Sequence, residues 1–427
     1  METTWIVTDE ILGRGMKAMR KLRLRQHLLK GWPELAGYLR FDLPRFAYGG
    51  NLSSDEIPVF SFHRTTSNQL RPLLEHLHRN QYVTVTLDQL ADHLAGKNLC
   101  PPKSIALTFD DGWASSWMVA TPLLKGYGMK ATVFIPPAVI KDAAAARRTL
   151  DDGITDSDAA HEESVLDKCL ITWPEIGAMQ QSGVWDIQSH TLTHGRVWNS
   201  DRVLAFHHPC SNHKVLAKVP ATLLVDDSPQ GQISGSLSLG LPLHDDSPRM
   251  DVTRRFVPDS EEKLHMAEFV RCHGGPTFFA RSGWERELLR TISEFRKDRP
   301  GHWETEEESR TAIRNELLEA RHLIESKTGG PVRHLLFPWE RGNRLAVEVA
   351  RETGHLTALF GVIHGRRTNR PGNDPLGIPR LSWKFIPLLP GEGRQSVLAN
   401  VSNRFRRRLI PNIAGRLPTS QIRDREE

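Results

Sequence analysis

Four residues that could share a metal ion and a water molecule lie in two short stretches of the sequence. Asp110 and Asp111 are adjacent, and His190 and His194 are four positions apart. Two neighbouring carboxylates repel each other unless a cation or a proton lies between them. One carboxylate and two imidazoles leave positions open on a divalent ion, which is typical of a catalytic rather than a structural site. These residue types therefore indicate a metal site formed by Asp111, His190 and His194.

Asp110 has a separate predicted role, because the metal site does not need it as a ligand. A metal ion lowers the pKa of a bound water molecule toward about 7, so a carboxylate beside it can act as a base. The alternative is that Asp110 caps the following helix or balances charge. The spacing of His190 and His194 is weak evidence alone, since 19 histidines give many chance pairs. Two surface histidines are the alternative for that pair.

The elements around these residues are predicted to be alternating strands and helices. An apolar run at residues 105–109 precedes the two carboxylates, and residues 185–190 form a strand that ends at the first histidine. Helices with one apolar face are predicted between strands, for example at 68–80 and 113–127. This alternation favours a parallel sheet of β-α-β units, whose sites lie at the carboxyl ends of the strands. The two halves of the metal site are therefore expected to meet there.

Length and composition are those of an ordinary globular protein. The 427 residues suffice for one large domain or two ordinary ones, and the net charge of +5 is mild. A role in nucleic-acid binding is not expected, since no helix carries a dense basic stripe interleaved with aromatic residues. The absence of a membrane-length apolar run and of a secretory signal predicts a cytoplasmic protein. Four widely separated cysteines predict reduced thiols.

Both ends of the chain are predicted to lie outside the main domain. We interpret residues 1–55 as an N-terminal extension, 56–390 as the main domain with an insertion at about 200–303, and 391–427 as a basic tail. The extension alternates basic and apolar residues, as in a helix packed on the main domain or one lying on an anionic membrane. Packing is favoured, because basic helices are common and membrane-surface binders are few.

Less regular structure is predicted in two further places. Residues 141–170 are interpreted as a polar, variable excursion. In the insertion, a strand is predicted at 232–239 and a loop at 240–249. Its aromatic residues Phe278, Phe279 and Trp284 either pack between helices or contact a sugar face.

Two motifs resemble those of the polysaccharide deacetylases, the NodB-homology enzymes of carbohydrate esterase family four. Thr108-Phe-Asp-Asp-Gly112 is similar to their first motif, and His190-Thr-Leu-Thr-His194 is similar to their second, H-[ST]-x-x-H. The resemblance implies an irregular (β/α) barrel and a divalent metal, usually Zn²⁺, used to hydrolyse N-acetyl groups of sugars. It also implies that Asp110 is the base, and that Asp111 and the two histidines are the metal ligands.

A third motif and a subgroup signature extend the resemblance. Leu335-Leu-Phe-Pro-Trp339 is similar to the third family motif, in which a backbone N–H helps to hold the oxyanion. By position that donor is Trp339, and such a donor contributes on the order of 3 kcal/mol to lowering the barrier. The stretches Ile57-Pro-Val-Phe-Ser-Phe-His63 and Asp374-Pro-Leu-Gly-Ile-Pro-Arg380 resemble the subgroup that modifies bacterial exopolysaccharides.

The arginine and the general acid of the family have no direct counterpart in this sequence. Many members carry an arginine just before the third motif that orients the base, where this sequence has His334 and two leucines. We expect Arg380 to replace it, with a surface salt bridge as the alternative. The late motifs that supply the general acid are not visible. His364 and His63 are the candidates for that role.

The sequence thus predicts a metal-dependent hydrolase that removes N-acetyl groups from an N-acetylated glycan. The alternative among enzymes is a hydrolase of another amide or ester, since one fold serves several substrates. The alternative from another class is a carbohydrate-binding member with impaired catalysis. The intact Asp110 and metal ligands count against it, because a binding module needs neither a base nor an open metal position.

Overall fold

The computed structural model describes residues 40, 42–165, 168–209, 238–363 and 368–400. They belong to two compact units. The larger holds the described residues of Ser53–Gly361 and Thr368–Trp383, and the smaller holds the described residues before Ser53, residues 362–363 and residues 384–400. The predicted basic helix of the extension and the arginine-rich part of the tail lie outside the described residues.

No helix in the described ranges is long and apolar enough to cross a membrane. The cytoplasmic location, the membrane contact and the boundaries of the three predicted segments stay predictions.

A parallel sheet of nine strands forms the centre of the larger unit. In chain order the strands of the described residues are β1 (Val59–Phe62), β2 (Val83–Thr84), β3 (Ser104–Phe109), β4 (Ala131–Ile135), β5 (Trp185–Ser189), β6 (Arg196–Phe206), β7 (Pro242–Pro248), β8 (Phe256–Val257), β9 (His302–Trp303), β10 (His334–Leu336), β11 (Thr357–Phe360), β12 (Ile378–Pro379) and β13 (Leu381–Ser382). The sheet runs β12-β11-β10-β5-β4-β3-β1-β13, with β2 beside β3. Apart from the short β2, its strands are buried along almost their whole length, as expected where both faces are covered.

The two edges of this sheet come together at one residue. β12 lies at one edge and β13 at the other, and Arg380 alone separates them in the chain. β13 then pairs in parallel with β1, with Phe60 opposite Leu381. The sheet is therefore a nearly closed barrel, and the predicted irregular (β/α) barrel is confirmed.

Helices connect the strands, and several of them bury an apolar face against the barrel. In the described ranges the α-helices are α1 (Ser67–Arg79), α2 (Leu87–Leu94), α3 (Thr121–Gly126), α4 (Asp156–Ser164), α5 (Trp173–Gln181), α6 (Glu262–Cys272), α7 (Trp284–Asp298), α8 (Glu306–Thr328) and α9 (Arg344–Glu352). Thr305 and Glu308 form a capping box at the start of α8. This helix ends at Gly329, whose φ of 69° is readily adopted by glycine.

The barrel core combines residues of six strands with the apolar face of α2. Val59, Ala106 and Phe134 lie in one buried cluster with side chains of β10, β11 and β12. Each large apolar side chain buried there contributes roughly 1.5–3 kcal/mol. A second cluster lies between α8, α9 and the strands β10 and β11. These contacts fix the strand ends that carry the polar residues described below.

The insertion between the second and third motifs is present and carries its own strands and helices. β6 pairs with β7 and β8 pairs with β9, both antiparallel, and α6 and α7 pack together around buried Phe278. Phe278 is fully buried, as expected if it packs between helices rather than against a sugar. The neighbouring rings of Phe279 and Trp284 are half-buried.

One prediction about irregular structure was wrong. The loop predicted at 240–249 contains β7, whose two prolines lie at the strand ends, where proline is tolerated. The excursion predicted at 141–170 contains α4, which begins with a capping box of Thr155 and Asp158. The strand predicted at 232–239 lies outside the described residues except for its last two positions.

Candidate metal and catalytic site

The carboxyl ends of two strands bring both halves of the predicted metal site together. Asp111 lies two residues beyond the end of β3, and His190 directly follows β5, with only β4 between the two strands. Asp111, His190 and His194 are buried, and their potential ligand atoms lie within 4.8 Å of one another. The three residues that the sequence singled out as ligands therefore meet.

The spacing of these atoms suits a divalent ion. Asp111 Oδ1 lies 3.3 Å from His190 Nε2 and 3.4 Å from His194 Nε2. A tetrahedral zinc ion with bonds of 2.0–2.1 Å separates its ligand atoms by about 3.3 Å. Three ligands of this kind leave a fourth position open. The residues present therefore fit a catalytic metal, while their chemistry also suits cobalt, manganese or nickel.

Hydrogen bonds orient two of the three ligands. His190 Nδ1 donates to the carbonyl oxygen of Leu336 over 2.9 Å, because a carbonyl oxygen can only accept. The other nitrogen, Nε2, faces Asp111. It donates to this carboxylate when it carries a proton, and it can offer its lone pair to a metal ion when it does not. Trp113 Nε1 donates to Asp111 Oδ2 over 3.0 Å, which leaves Oδ1 directed at the histidines. Such second partners fix the tautomer and orientation of metal ligands.

The protonation states also suit metal binding. Burial alone raises the pKa of Asp111, but the hydrogen bond with His190 and the charge of nearby imidazoles outweigh it and hold that pKa well below its usual range. Burial, with His190 beside it, lowers the pKa of His194 to about 3. Near pH 7 the carboxylate is therefore charged and the His194 imidazole is neutral, as metal ligands must be.

Asp110 is held by Arg380 through both carboxylate oxygens. Arg380 Nη1 donates to Oδ1 over 2.7 Å, and Nη2 donates to Oδ2 over 2.8 Å. The same guanidinium donates to Thr108 Oγ1 over 3.0 Å and to Glu340 Oε1 over 2.8 Å. The Arg380 side chain is fully buried. Burial alone would lower the pKa of Arg380, but the charges of Asp110 and Glu340 raise it, so the guanidinium stays charged.

His63 lies on the other side of the same carboxylate group. Its Nε2 is 3.6 Å from Asp110 Oδ2, and its side chain is 56% exposed, so solvent or a substrate can reach it. This position follows from the sheet, since Phe62 of β1 pairs with Phe109 of β3 and each is followed by a polar residue. His364, the other candidate acid, lies outside the described residues.

Trp339 lies beyond the end of β10, and its ring contacts His194, one of the candidate metal ligands. The ring centroid is 4.2 Å from that of His194, and the Arg196 guanidinium carbon is 4.9 Å from the Trp339 centroid. The turn around it is closed by hydrogen bonds from the backbone N–H groups of Glu340 and Arg341, and the Trp339 N–H is not among the donors of this turn. Its backbone has a positive φ of 54°.

Backbone strain is concentrated at this site. Left-handed backbone costs a residue other than glycine on the order of 1–3 kcal/mol and persists where the surrounding structure imposes it. Of the seven such residues in the described ranges, five lie at the site: Asp111, Thr191, His194, Trp339 and Glu340. The strand ends and their loops are thus held in conformations that set side-chain direction at a cost in stability.

The sequence did not single out several residues that support this site. They are Trp113, Glu340 and Glu316. Glu316 accepts hydrogen bonds from the backbone N–H and the hydroxyl of Thr193, a residue that lies between the two histidines in the chain. Trp113 and Glu340 directly adjoin the first and third motifs, so adjacency was an available signal. Glu316 lies in the middle of α8, and no local pattern distinguishes it from the other charged residues of that helix.

Comparisons with known proteins agree with the motifs. Residues 97–222, which include both carboxylates and both histidines, match the family model described as polysaccharide deacetylase. A putative polysaccharide deacetylase of Bacillus subtilis (strain 168) is 28% identical over 147 residues, 33% of this chain and 43% of that protein. The poly-β-1,6-N-acetyl-D-glucosamine N-deacetylase of Escherichia coli (strain K12) is 28% identical over 148 residues, 34% of this chain and 19% of that protein.

The deacetylase domain of BpsB from Bordetella bronchiseptica is a solved structure with similarity to this chain. It is 20% identical, with a TM-score of 0.46, and the match covers 77% of this chain and 96% of that one. The match to each of the two curated relatives spans less than half of the relative's length.

Proposed function

We propose that this chain, whose residues 97–222 belong to the polysaccharide deacetylase family, is a metal-dependent hydrolase that removes N-acetyl groups from an N-acetylated sugar or polysaccharide. The observation that carries the proposal is the position of Asp110 beside the cluster of Asp111, His190 and His194. A base next to an open metal position serves amide hydrolysis. A module that only binds carbohydrate has no use for either.

Asp111, His190 and His194 are the proposed metal ligands, and Zn²⁺ suits their nitrogen and carboxylate donors best. When bound, the ion would polarise the acetyl carbonyl and make a water molecule easier to deprotonate. The fixed tautomer of His190 and the fixed carboxylate of Asp111 present their lone pairs to one point in space. The protein therefore needs little reorganisation to bind the ion.

Asp110 is the proposed base, which takes a proton from the attacking water. A carboxylate oxygen has two lone pairs, so the hydrogen bonds from Arg380 leave one on each oxygen for the water. Because the guanidinium grips both oxygens, the carboxylate cannot rotate away from the metal ligands. Arg380 acts here through Asp110 and is a positioning residue.

His63 is the proposed general acid, which protonates the leaving amine. It is 3.6 Å from Asp110 and its side chain is exposed, so it can contact a substrate bound over the base. Two groups of this kind on either side of a scissile amide are the usual arrangement for proton transfer to and from the reaction centre. His364 remains the alternative.

The backbone N–H of Trp339 is the proposed oxyanion donor, and its ring is the proposed wall of the acetyl pocket. The ring packs against His194, one of the proposed ligands. A donor held by a strained turn keeps its direction without reorganisation, which is what stabilisation of a developing negative charge requires.

Metal content and acetate release test the proposal together. The purified protein is loaded with Zn²⁺, freed of excess metal, and incubated with β-1,6- and β-1,4-linked N-acetylglucosamine oligomers. We expect bound metal and acetate release from at least one oligomer, with activity lost on chelation and restored by Zn²⁺. A protein that binds no metal and releases no acetate from any N-acetylated sugar would overturn the proposal.

A further inference from the structure

An ion pair between the antiparallel strands β6 and β7 of the insertion lies beside the Trp339 ring. Arg196 Nε and Nη2 both contact Asp246 Oδ1, and Nη2 also donates to the Asp246 carbonyl oxygen over 2.9 Å. The Asp246 side chain is only 7% exposed. The strand register puts the two residues on one face, because Arg196 pairs with Pro248 and Trp198 pairs with Asp246.

This ion pair fixes the guanidinium that contacts Trp339. Arg196 uses two of its nitrogens on Asp246, so the plane of the guanidinium has little freedom to turn. Its central carbon lies 4.9 Å from the centroid of the Trp339 ring, within the range of a cation–π contact. The same ring packs against the His194 ring at 4.2 Å. A line of contacts thus runs from Asp246 through Arg196 and Trp339 to His194.

The backbone that follows β7 ties the same two loops together. Arg249 N donates to Gly195 O over 3.0 Å, directly after the second histidine. Asn343 N donates to Met250 O over 2.7 Å, three residues after Glu340. Asp251 also forms an ion pair with Arg341. The inserted segment therefore contacts the loop of the histidines and the loop of Trp339, although neither motif belongs to it.

We propose that Asp246 and Arg196 are positioning residues that hold the Trp339 ring against His194 and so set the shape of the acetyl pocket. Strands β6 and β7 of the insertion thereby take part in substrate selection. The kinetic effect expected from this proposal rests on the proposed function. The position of the Trp339 ring does not depend on that function. Loss of the Asp246 charge frees the Arg196 guanidinium from its fixed plane and so weakens its contact with the Trp339 ring.

Asp246→Asn and the neighbouring Asp245→Asn form a matched pair for the test. Asp245 is exposed, and its carboxylate accepts a hydrogen bond from the Asp246 backbone rather than from Arg196. Arg196→Lys is a second variant that keeps the charge but loses the planar group that stacks on the ring. Each of these three variants is prepared with and without the additional substitution Trp339→Phe. The metal content of every protein is measured.

The first measurement needs no substrate. The contribution of Trp339 to the near-ultraviolet circular dichroism is the difference between proteins with and without Trp339→Phe. We expect this difference to shrink by about half or more in Asp246→Asn and Arg196→Lys and to stay unchanged in Asp245→Asn, because a mobile ring loses its asymmetric surroundings. An unchanged difference in both site variants would overturn the proposal.

The second measurement is kinetic. We expect Asp246→Asn to lower kcat/KM for the N-acetyl substrate about tenfold, mainly through KM, and to narrow the preference for acetyl over propionyl groups. In the Trp339→Phe background the same change should have little further effect, since both act through one ring. Independent, multiplicative effects would contradict the inference. Failure of the unaltered protein to release acetate would instead count against the proposed function, and the spectroscopic result would still decide the inference.

Discussion

Arg380 donates hydrogen bonds to both carboxylate oxygens of Asp110, over 2.7 and 2.8 Å, although 270 residues separate the two in the chain. The contact exists because Arg380 lies between β12 and β13, where the two edges of the sheet come together. Closing the barrel and orienting the proposed base are therefore done by the same residue. Arg380 is fully buried and has two carboxylate partners, so it does not form the surface salt bridge that the sequence left open as the alternative.

Replacing Arg380 should separate its structural and catalytic contributions. Arg380→Ala leaves the buried Asp110 carboxylate without its cation, and we expect a loss of about 3–5 kcal/mol in the free energy of unfolding. Arg380→Lys keeps the charge but loses the paired hydrogen bonds to the two Asp110 oxygens. We therefore expect a smaller loss of stability and a fall in kcat of about 10²-fold. Urea denaturation and acetate-release kinetics check these two outcomes.

An exposed arginine provides the control for that pair of variants. Arg344 pairs with Glu348 on the surface of α9, and Arg344→Ala should change stability by less than about 0.5 kcal/mol. Wild-type kcat in Arg380→Lys would contradict the positioning role.

Trp113 should contribute to metal affinity without being a ligand. Trp113→Phe keeps an aromatic ring but removes the donor to Asp111 Oδ2. We expect the affinity for Zn²⁺ to fall about 10–100-fold, as is usual when such a partner of a ligand is lost. Competition with a chromophoric chelator measures it. Trp117→Phe is the matched control, because the Trp117 indole donates to the Arg147 carbonyl oxygen and not to a site residue. Equal affinities in the two variants would contradict the role of Trp113.

The general acid can be identified by comparing three histidines. We expect His63→Gln to lower kcat by about 10²–10⁴-fold, because His63 lies beside the proposed base. Metal content should stay unchanged, because His63 is not one of the three proposed metal ligands. His322 is exposed on α8, and His322→Gln should leave kcat unchanged. If His364→Gln lowers kcat and His63→Gln does not, the acid is His364 and the assignment of His63 is wrong.

The parts of the fold that the sequence predicted are those with a local signal. β3 is a short apolar run, and β5 alternates the apolar residues Trp185 and Ile187 with polar ones, so the positions of Asp111 and His190 at strand ends could be predicted directly. The capping box of α8 is likewise local. β7 could not be read in this way, because its side chains alternate poorly and its strand structure comes from pairing with β6.

The parts of the site that the sequence did not predict depend on contacts between segments that are far apart in the chain. Arg380 was proposed as the partner of Asp110 from its position at a strand end, but only the closed sheet shows how the two meet. The supporting contacts of Glu316 and Arg196 arise from tertiary packing, for which a single sequence contains no pattern. The hydrogen bond from the Trp113 indole to Asp111 forms across two successive residues with left-handed backbone, Asp111 and Gly112.

Asp110→Asn tests most directly the division of roles between the two adjacent carboxylates. Asparagine keeps the size of the side chain and can still accept from Arg380, but it cannot take a proton from water. The variant and the unaltered protein are loaded with Zn²⁺ and compared for metal content and acetate release. We predict the same metal content and a fall in kcat of at least about 10²-fold. Unchanged turnover, or loss of the metal together with activity, would contradict the assignment of Asp110 as the base beside a site held by Asp111.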